Sequence, residues 1–218
     1  MNTKRKNKKN DIEDQGSKFL LAEYEMLQRL RQGVVSADEA RLNFFIAIAS
    51  GAIFSFTFLD QILERNVAII VAGTIAFNIF FLGVLTFARS VERSIRVIVY
   101  TRGMNRIRRY FTQISPNVQE YLVLSTNDDH PPYGAVGNLT KSLWLEPATI
   151  IAIINSAVAS IGIAMLGGVV LKLLMTTNFI ICISSFLIMF FAHHRYHIAR
   201  YSNEGRKLEI RFPSNNKE

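Results

Sequence analysis

Three stretches hold side chains able to bind a metal, move a proton or grip a phosphate. The segment STNDDHPPYGAVG, residues 125–137, sets Asp128, Asp129 and His130 in succession. Carboxylates beside an imidazole can bind a metal or exchange protons. The pair Pro131-Pro132 and the nearby glycines mark a loop, so a polar turn closed by the prolines is the simpler expectation. The segment AHHRYHIAR, residues 192–200, carries His193, His194 and His197. His193 and His197 stand one helical turn apart and could face one ion. Zinc needs further ligands, and none can be named from the sequence. Neither stretch forms a recognised catalytic set, so no catalytic residue, metal or cofactor is assigned.

The third stretch is SVERSIRVIVYTRGMNRIRRYF, residues 90–111. With Arg89 just before it, the stretch carries seven arginines and no lysine. Guanidinium forks match phosphate geometry. Arg93, Arg96, Arg102, Arg106 and Arg109 are therefore the expected contacts for a lipid headgroup or a phosphate-bearing ligand. On a helix, Arg89, Arg93 and Arg96 share a face. Gly103 is expected to interrupt that helix, and Arg102, Arg106 and Arg109 form a second cluster around and beyond it. No reader motif for sequence-specific nucleic acid is present.

The elements that must carry these residues are apolar. Hydrophobic residues make up 50% of the chain and collect in runs almost free of charge, a composition of the membrane class. Residues 42–59, 67–88, 148–171 and 178–192 contain no Asp, Glu, Lys, Arg or His. A helix of about 20 apolar residues crosses the hydrocarbon layer, and the backbone in lipid must satisfy its own hydrogen bonds. The expectation is an all-α integral membrane protein with four transmembrane helices in two hairpins and cytoplasmic amphipathic helices. The absence of charge inside the runs argues against an ion-coupled transporter.

Orientation follows from the basic residues. Of 25 Lys and Arg, 23 fall before the first run, between the second and third, or after the fourth, and only Arg65 and Lys172 fall in the two short connections. The positive-inside rule then predicts both termini and the long middle segment on the cytoplasmic side of the inner (plasma) membrane. Much of the net charge of +8 is topology before it is ligand binding. The anionic bilayer is the first expected partner, at about 1 kcal/mol per juxtamembrane basic residue. The lone Cys182 lies inside an apolar run and can form no internal disulfide.

The expected organisation is a disordered basic arm at 1–16, an amphipathic helix at 17–41, a first hairpin at 42–88, an Arg-rich segment at 89–147, a second hairpin at 148–192 and a tail at 193–218. Leu20, Tyr24, Leu27 and Leu30 give the amphipathic face of 17–32. Gly33 is expected to end that helix, and Ser36 with Glu39 to cap the next. Residues 207–212 alternate like a short strand. The two halves share a plan, each with a hairpin and a basic helical exit, as in a weak parallel repeat.

Two small-residue stripes can bring helices close. One is Ala47, Gly51 and Ser55; the other is Ala152, Ser156, Ser160, Ala164 and Gly168. Packing within the protomer and a homo-oligomer seam are both open. Asn78 and Asn155 are the deepest polar residues, and their heights predict a bond across the bundle.

The combination RGMNRIRRYF, then YLVL and DDHPPY, resembles a group of uncharacterised small bacterial four-span membrane proteins. The likeness covers roughly residues 17–145 and implies no activity. In plan alone the chain is also similar to multi-span effectors of bacterial anti-phage systems, which join a few spans to a cytoplasmic sensing part. Two functions follow as expectations. One is a non-enzymatic membrane scaffold or sensor whose arginines contact lipid, a cytoplasmic protein or a nucleotide. The other is a cytoplasmically gated pore-forming or membrane-perturbing effector.

Overall fold

The computed structural model describes residues 2–129, 146–169, 171–207 and 209–214. Among them the chain is helical, without a strand. Helix α1 spans Asn2–Ile62 and α2 spans Arg65–Ile114. A 3-10 turn follows at Pro116–Tyr121. Helix α3 spans Pro147–Val169 and α4 spans Met175–Lys207. Pro147 opens α3, where its missing N–H costs no helical bond.

Helices α2, α3 and α4 are each long and apolar enough to cross a membrane. None of the most apolar stretch of α4 is buried inside the protein. Large apolar side chains point outward throughout this region, with Phe77 69% and Ile188 68% exposed. In water such a surface is costly; in hydrocarbon it is the solvated face.

Helix α1 differs from the expectation. It runs unbroken from Asn2 through Gly33. Ser36 does not cap a new helix: its Oγ donates to the Gly33 carbonyl oxygen at 3.3 Å. A glycine inside a helix costs about 1 kcal/mol, a small sum against the turns on either side. Gly103 likewise fails to break α2. A Cβ there would lie 3.1 Å from Leu27 Cδ1, so this glycine is where α1 comes close.

Packing follows chain order: α1 on α2, α2 on α3 and α3 on α4. The apolar core joins Phe45 of α1, Val91 of α2, Ile151 of α3 and Tyr201 of α4. Of residues 207–212, where a strand was expected, Lys207 ends α4 and residues 209–212 are irregular chain.

The two small-residue stripes take opposite roles. Ala152, Ser156 and Ser160 are buried within the bundle, and Ala164 and Gly168 are half-buried. At the far end Asn178 closes on α3, where Cβ atoms on Gly167 and Gly168 would lie 2.7 and 3.0 Å from its amide atoms. Ala47, Gly51 and Ser55 face out of the protomer.

Candidate functional site

The polar side chains gather at three levels along α2. The first lies just below the apolar part of the bundle. Ser90 is on α2 because its helix leaves the apolar run there, and it is fully buried. Its Oγ donates to Asp38 Oδ2 at 2.8 Å. Arg93 Nη1 donates to Asp38 Oδ1 at 3.1 Å. Asp38 is itself buried, so both carboxylate oxygens are held by α2. A buried carboxylate is stable only when paired in this way. On the other side Arg200 Nε of α4 donates to Glu92 Oε1 at 2.5 Å, and Arg200 Nη1 to Glu204 Oε1 at 2.7 Å. Glu146, just ahead of α3, sets Oε2 3.4 Å from His197 Nε2. Burial pushes the Glu146 carboxyl above its usual value. Helices α1 and α4 are thus tied to α2 by charged contacts, while Glu146 and His197 stand close without a hydrogen bond between them.

The second level is the distal end of α2. Asn105 Nδ2 donates to the Asn127 carbonyl at 2.9 Å, and Arg102 Nη2 to the Asp129 carbonyl at 3.0 Å. Arg106 Nε donates to Asp128 Oδ2 at 2.7 Å. Asp128 is almost fully buried and also accepts from the backbone N–H of Arg211 at 3.0 Å and of Phe212 at 2.8 Å. Its own N–H donates to the Phe212 carbonyl. Asp129 Oδ2 accepts from the N–H of Ser214 at 2.7 Å and from its hydroxyl. Arg106 Nη2 reaches the Glu209 carbonyl. The loop, the tail and α2 therefore form one clasp. Burial pushes the Asp128 pKa up; the backbone N–H groups of Arg211 and Phe212 and the Arg106 guanidinium outweigh it and leave the carboxyl below its usual value.

Asp128 and Asp129, offered by sequence for metal or acid–base work, thus serve to hold the tail. His130 and the prolines after it lie outside the described residues. The arginines divide. Arg93, Arg102 and Arg106 each hydrogen-bond within the protein. Arg89 and Arg96 are exposed and make no ion pair among the described residues. Arg109 is half-buried, and its buried Nε has no hydrogen-bond partner among the described residues.

The third level is the polar node deepest in the bundle. Asn155 does not meet Asn78. Asn78 is exposed and donates to its own Thr74 carbonyl at 2.8 Å. Asn155 is fully buried, with Nδ2 3.3 Å from His193 Nε2. His193 Nδ1 lies 2.7 Å from the Met189 carbonyl oxygen. A carbonyl only accepts, so Nδ1 carries the proton and Nε2 accepts from Asn155. Phe87 packs edge-on to His193, ring centroids 4.6 Å apart, and Tyr201 packs on His197 at the same distance. His193 and His197 thus have separate partners, and no group of three metal-binding side chains occurs among the described residues.

Several partners escaped the sequence reading. Arg108 bonds Asn105 Oδ1 at 2.6 Å and the Tyr24 hydroxyl at 2.7 Å, with its guanidinium 5.3 Å from the Tyr24 ring centre. Asp38, Ser90, Glu92 and Arg200 were also unassigned. The one signal for Asp38 is a carboxylate on the lead-in to an apolar run, where acid is expensive unless paired.

These features define an all-helical protein with three helices long and apolar enough to cross a membrane and a polar end tied by buried ion pairs. No protein-family model, curated protein or solved structure matches the chain. Its function is therefore argued from its own residues.

Proposed function

We propose that the chain is a non-enzymatic scaffold or sensor of the bacterial inner membrane. It crosses the bilayer four times, in two hairpins, with both termini and the 89–147 segment in the cytoplasm. The first crossing is the 42–59 part of α1. Support comes from the 23-to-2 division of Lys and Arg and from the outward apolar faces of α2 and α4.

The observation that carries the reading is the continuity of α2 from Arg65 to Ile114. One rigid helix joins the Asn155–His193 level, the Asp38–Arg93 level and the Arg106–Asp128 clasp. A tilt or rotation in the membrane reaches the far end without passing a hinge. The carboxylates best placed for chemistry hold helices and tail together instead. Arg89 and Arg96 remain outward, at the height of anionic headgroups, where lipid phosphate or an acidic partner can meet them.

Labelling tests the topology. In a Cys182→Ser background, a cysteine at Gln61 or Thr176 should react with a membrane-impermeant maleimide in intact cells. One at Gln113 should react only after lysis. The reverse pattern ends the reading. The effector alternative has one observation in its favour, the outward Ala47, Gly51 and Ser55 stripe on which copies can pack. Reconstituted liposomes separate the two: a scaffold leaves a trapped dye inside, and leakage replaces it with the effector.

A further inference from the structure

The outer half of the bundle is hollow. Between α1, α2 and α3 lies a cavity of about 890 Å³. Alanines carve it: Ala49 and Ala52 of α1, Ala68 and Ala72 of α2, and Ala157 of α3 face one another across the gap. It is a groove open on one side, with Ile53 and Ile161 of its walls exposed, so its apolar surface is left for a neighbouring apolar group to cover. It runs along α2 from Ala68 to Ile79, about 16 Å at the helical rise. This is the shape of a site for an apolar chain.

The hollow has a polar end. At Ile161 and Met165 it meets a second cavity of about 380 Å³, lined also by Arg65, Gly168, Asn178 and Cys182. Arg65 is exposed at the first turn of α2 and is one of the two basic residues in the short connections. A guanidinium at the mouth of an apolar slot has the chemistry of an amphiphile site: phosphate on Arg65 and a chain below.

We infer that a phospholipid is a bound component of the outer half of the bundle. Its acyl chain lies between α1, α2 and α3, and its phosphate is held at Arg65. The site is distinct from the cytoplasmic arginines. It rests on the four-span reading, which puts Arg65 at the outer headgroup level.

The full chain, extracted from membranes in mild detergent, tests this by native mass spectrometry and phosphorus assay. The wild type should retain a phospholipid through detergent exchange. Ala157→Leu, which fills the slot, should lose it. Arg65→Gln should retain it roughly tenfold less well, the effect of one lost charged contact, and without preference for anionic headgroups. Should Ala157→Leu fail to fold, the exposed Arg65→Gln decides alone. A wild-type chain free of phospholipid, or retention unchanged by Arg65→Gln, overturns the inference. So does a change of oligomeric mass in Ala157→Leu with no lipid bound to either form, which assigns the hollow to a second copy. Recovery of the chain in the soluble fraction without detergent would instead sink the membrane reading itself.

Discussion

Asn155 occupies the space that a side chain at Gly83 would need. A Cβ on Gly83 would overlap Asn155 Oδ1 and lie 3.0 Å from Phe45 Cζ. The glycine is therefore what lets α1, α2 and α3 converge on one amide, which then reaches His193 of α4.

Gly83→Ala should destabilise the bundle by about 1–3 kcal/mol, the usual cost of overpacking a tight interior. Thermal melting in detergent measures it. In an Asn155→Ala background the same substitution should cost much less, because the obstructing group is gone. Equal costs in both backgrounds would show that the contact does not set the spacing.

Asn155→Ala alone leaves the His193 Nε2 acceptor without its donor. Interhelical hydrogen bonds in membranes contribute about 0.6–1.7 kcal/mol, so the loss should fall in that range. Asn155→Gln, longer by a methylene in a fully buried position, should not restore it.

Asp128→Ala should release the tail. The expected local loss is about 2 kcal/mol, the scale of hydrogen bonds to a charged group. Faster hydrogen exchange at Arg211, Phe212 and Ser214, with unchanged exchange in α3, checks it. The pH dependence has a definite sign. Asp128 has a folded pKa below its unfolded one. Its contribution is therefore present above the unfolded value and lost as pH falls through the folded value. The tail should stay protected through the ordinary carboxylate range and loosen only below it. Loosening as pH rises from neutral would contradict the clasp.

Gly33→Ala should stabilise α1 by about 0.5–1 kcal/mol, because Gly33 sits inside a helix and a Cβ there would meet open space. Helicity by circular dichroism should rise. A fall would restore the helix stop that the sequence suggested.

Arg89→Gln with Arg96→Gln should weaken the attraction to anionic lipid by about 1 kcal/mol per residue, leaving the melt unchanged, since neither makes an ion pair among the described residues. Arg93→Gln should do the opposite: little change at the lipid surface and a clear loss of stability, because Asp38 would lose a partner in a buried pair. Lipid dependence of fluorescence-detected melting in vesicles of graded anionic content separates the two sites.

The helices, the long apolar runs and the lopsided basic charge were legible in the order of the residues alone. These are properties of composition over a window, and a helix that closes its own backbone bonds needs no distant partner to be recognised. The sequence misplaced a helix end at Gly33 because the penalty of one glycine is smaller than the gain from extending a packed helix. Which face of each helix turns inward became visible once the helices were packed. Runs such as 148–171 are apolar on all sides, so no periodic signal marks the face, and the stripes at Ala47 and at Ala152 looked alike. The polar pairs were illegible for a related reason. Asp38 meets Ser90, Asp128 meets Arg211 and Phe212, and Glu92 meets Arg200, across 52, 83, 84 and 108 residues. Such partners are chosen by where helices cross, which no local spacing records. The same crossing turned Asn155 from Asn78 to His193, and it set Arg93, Arg102 and Arg106 against partners within the protein.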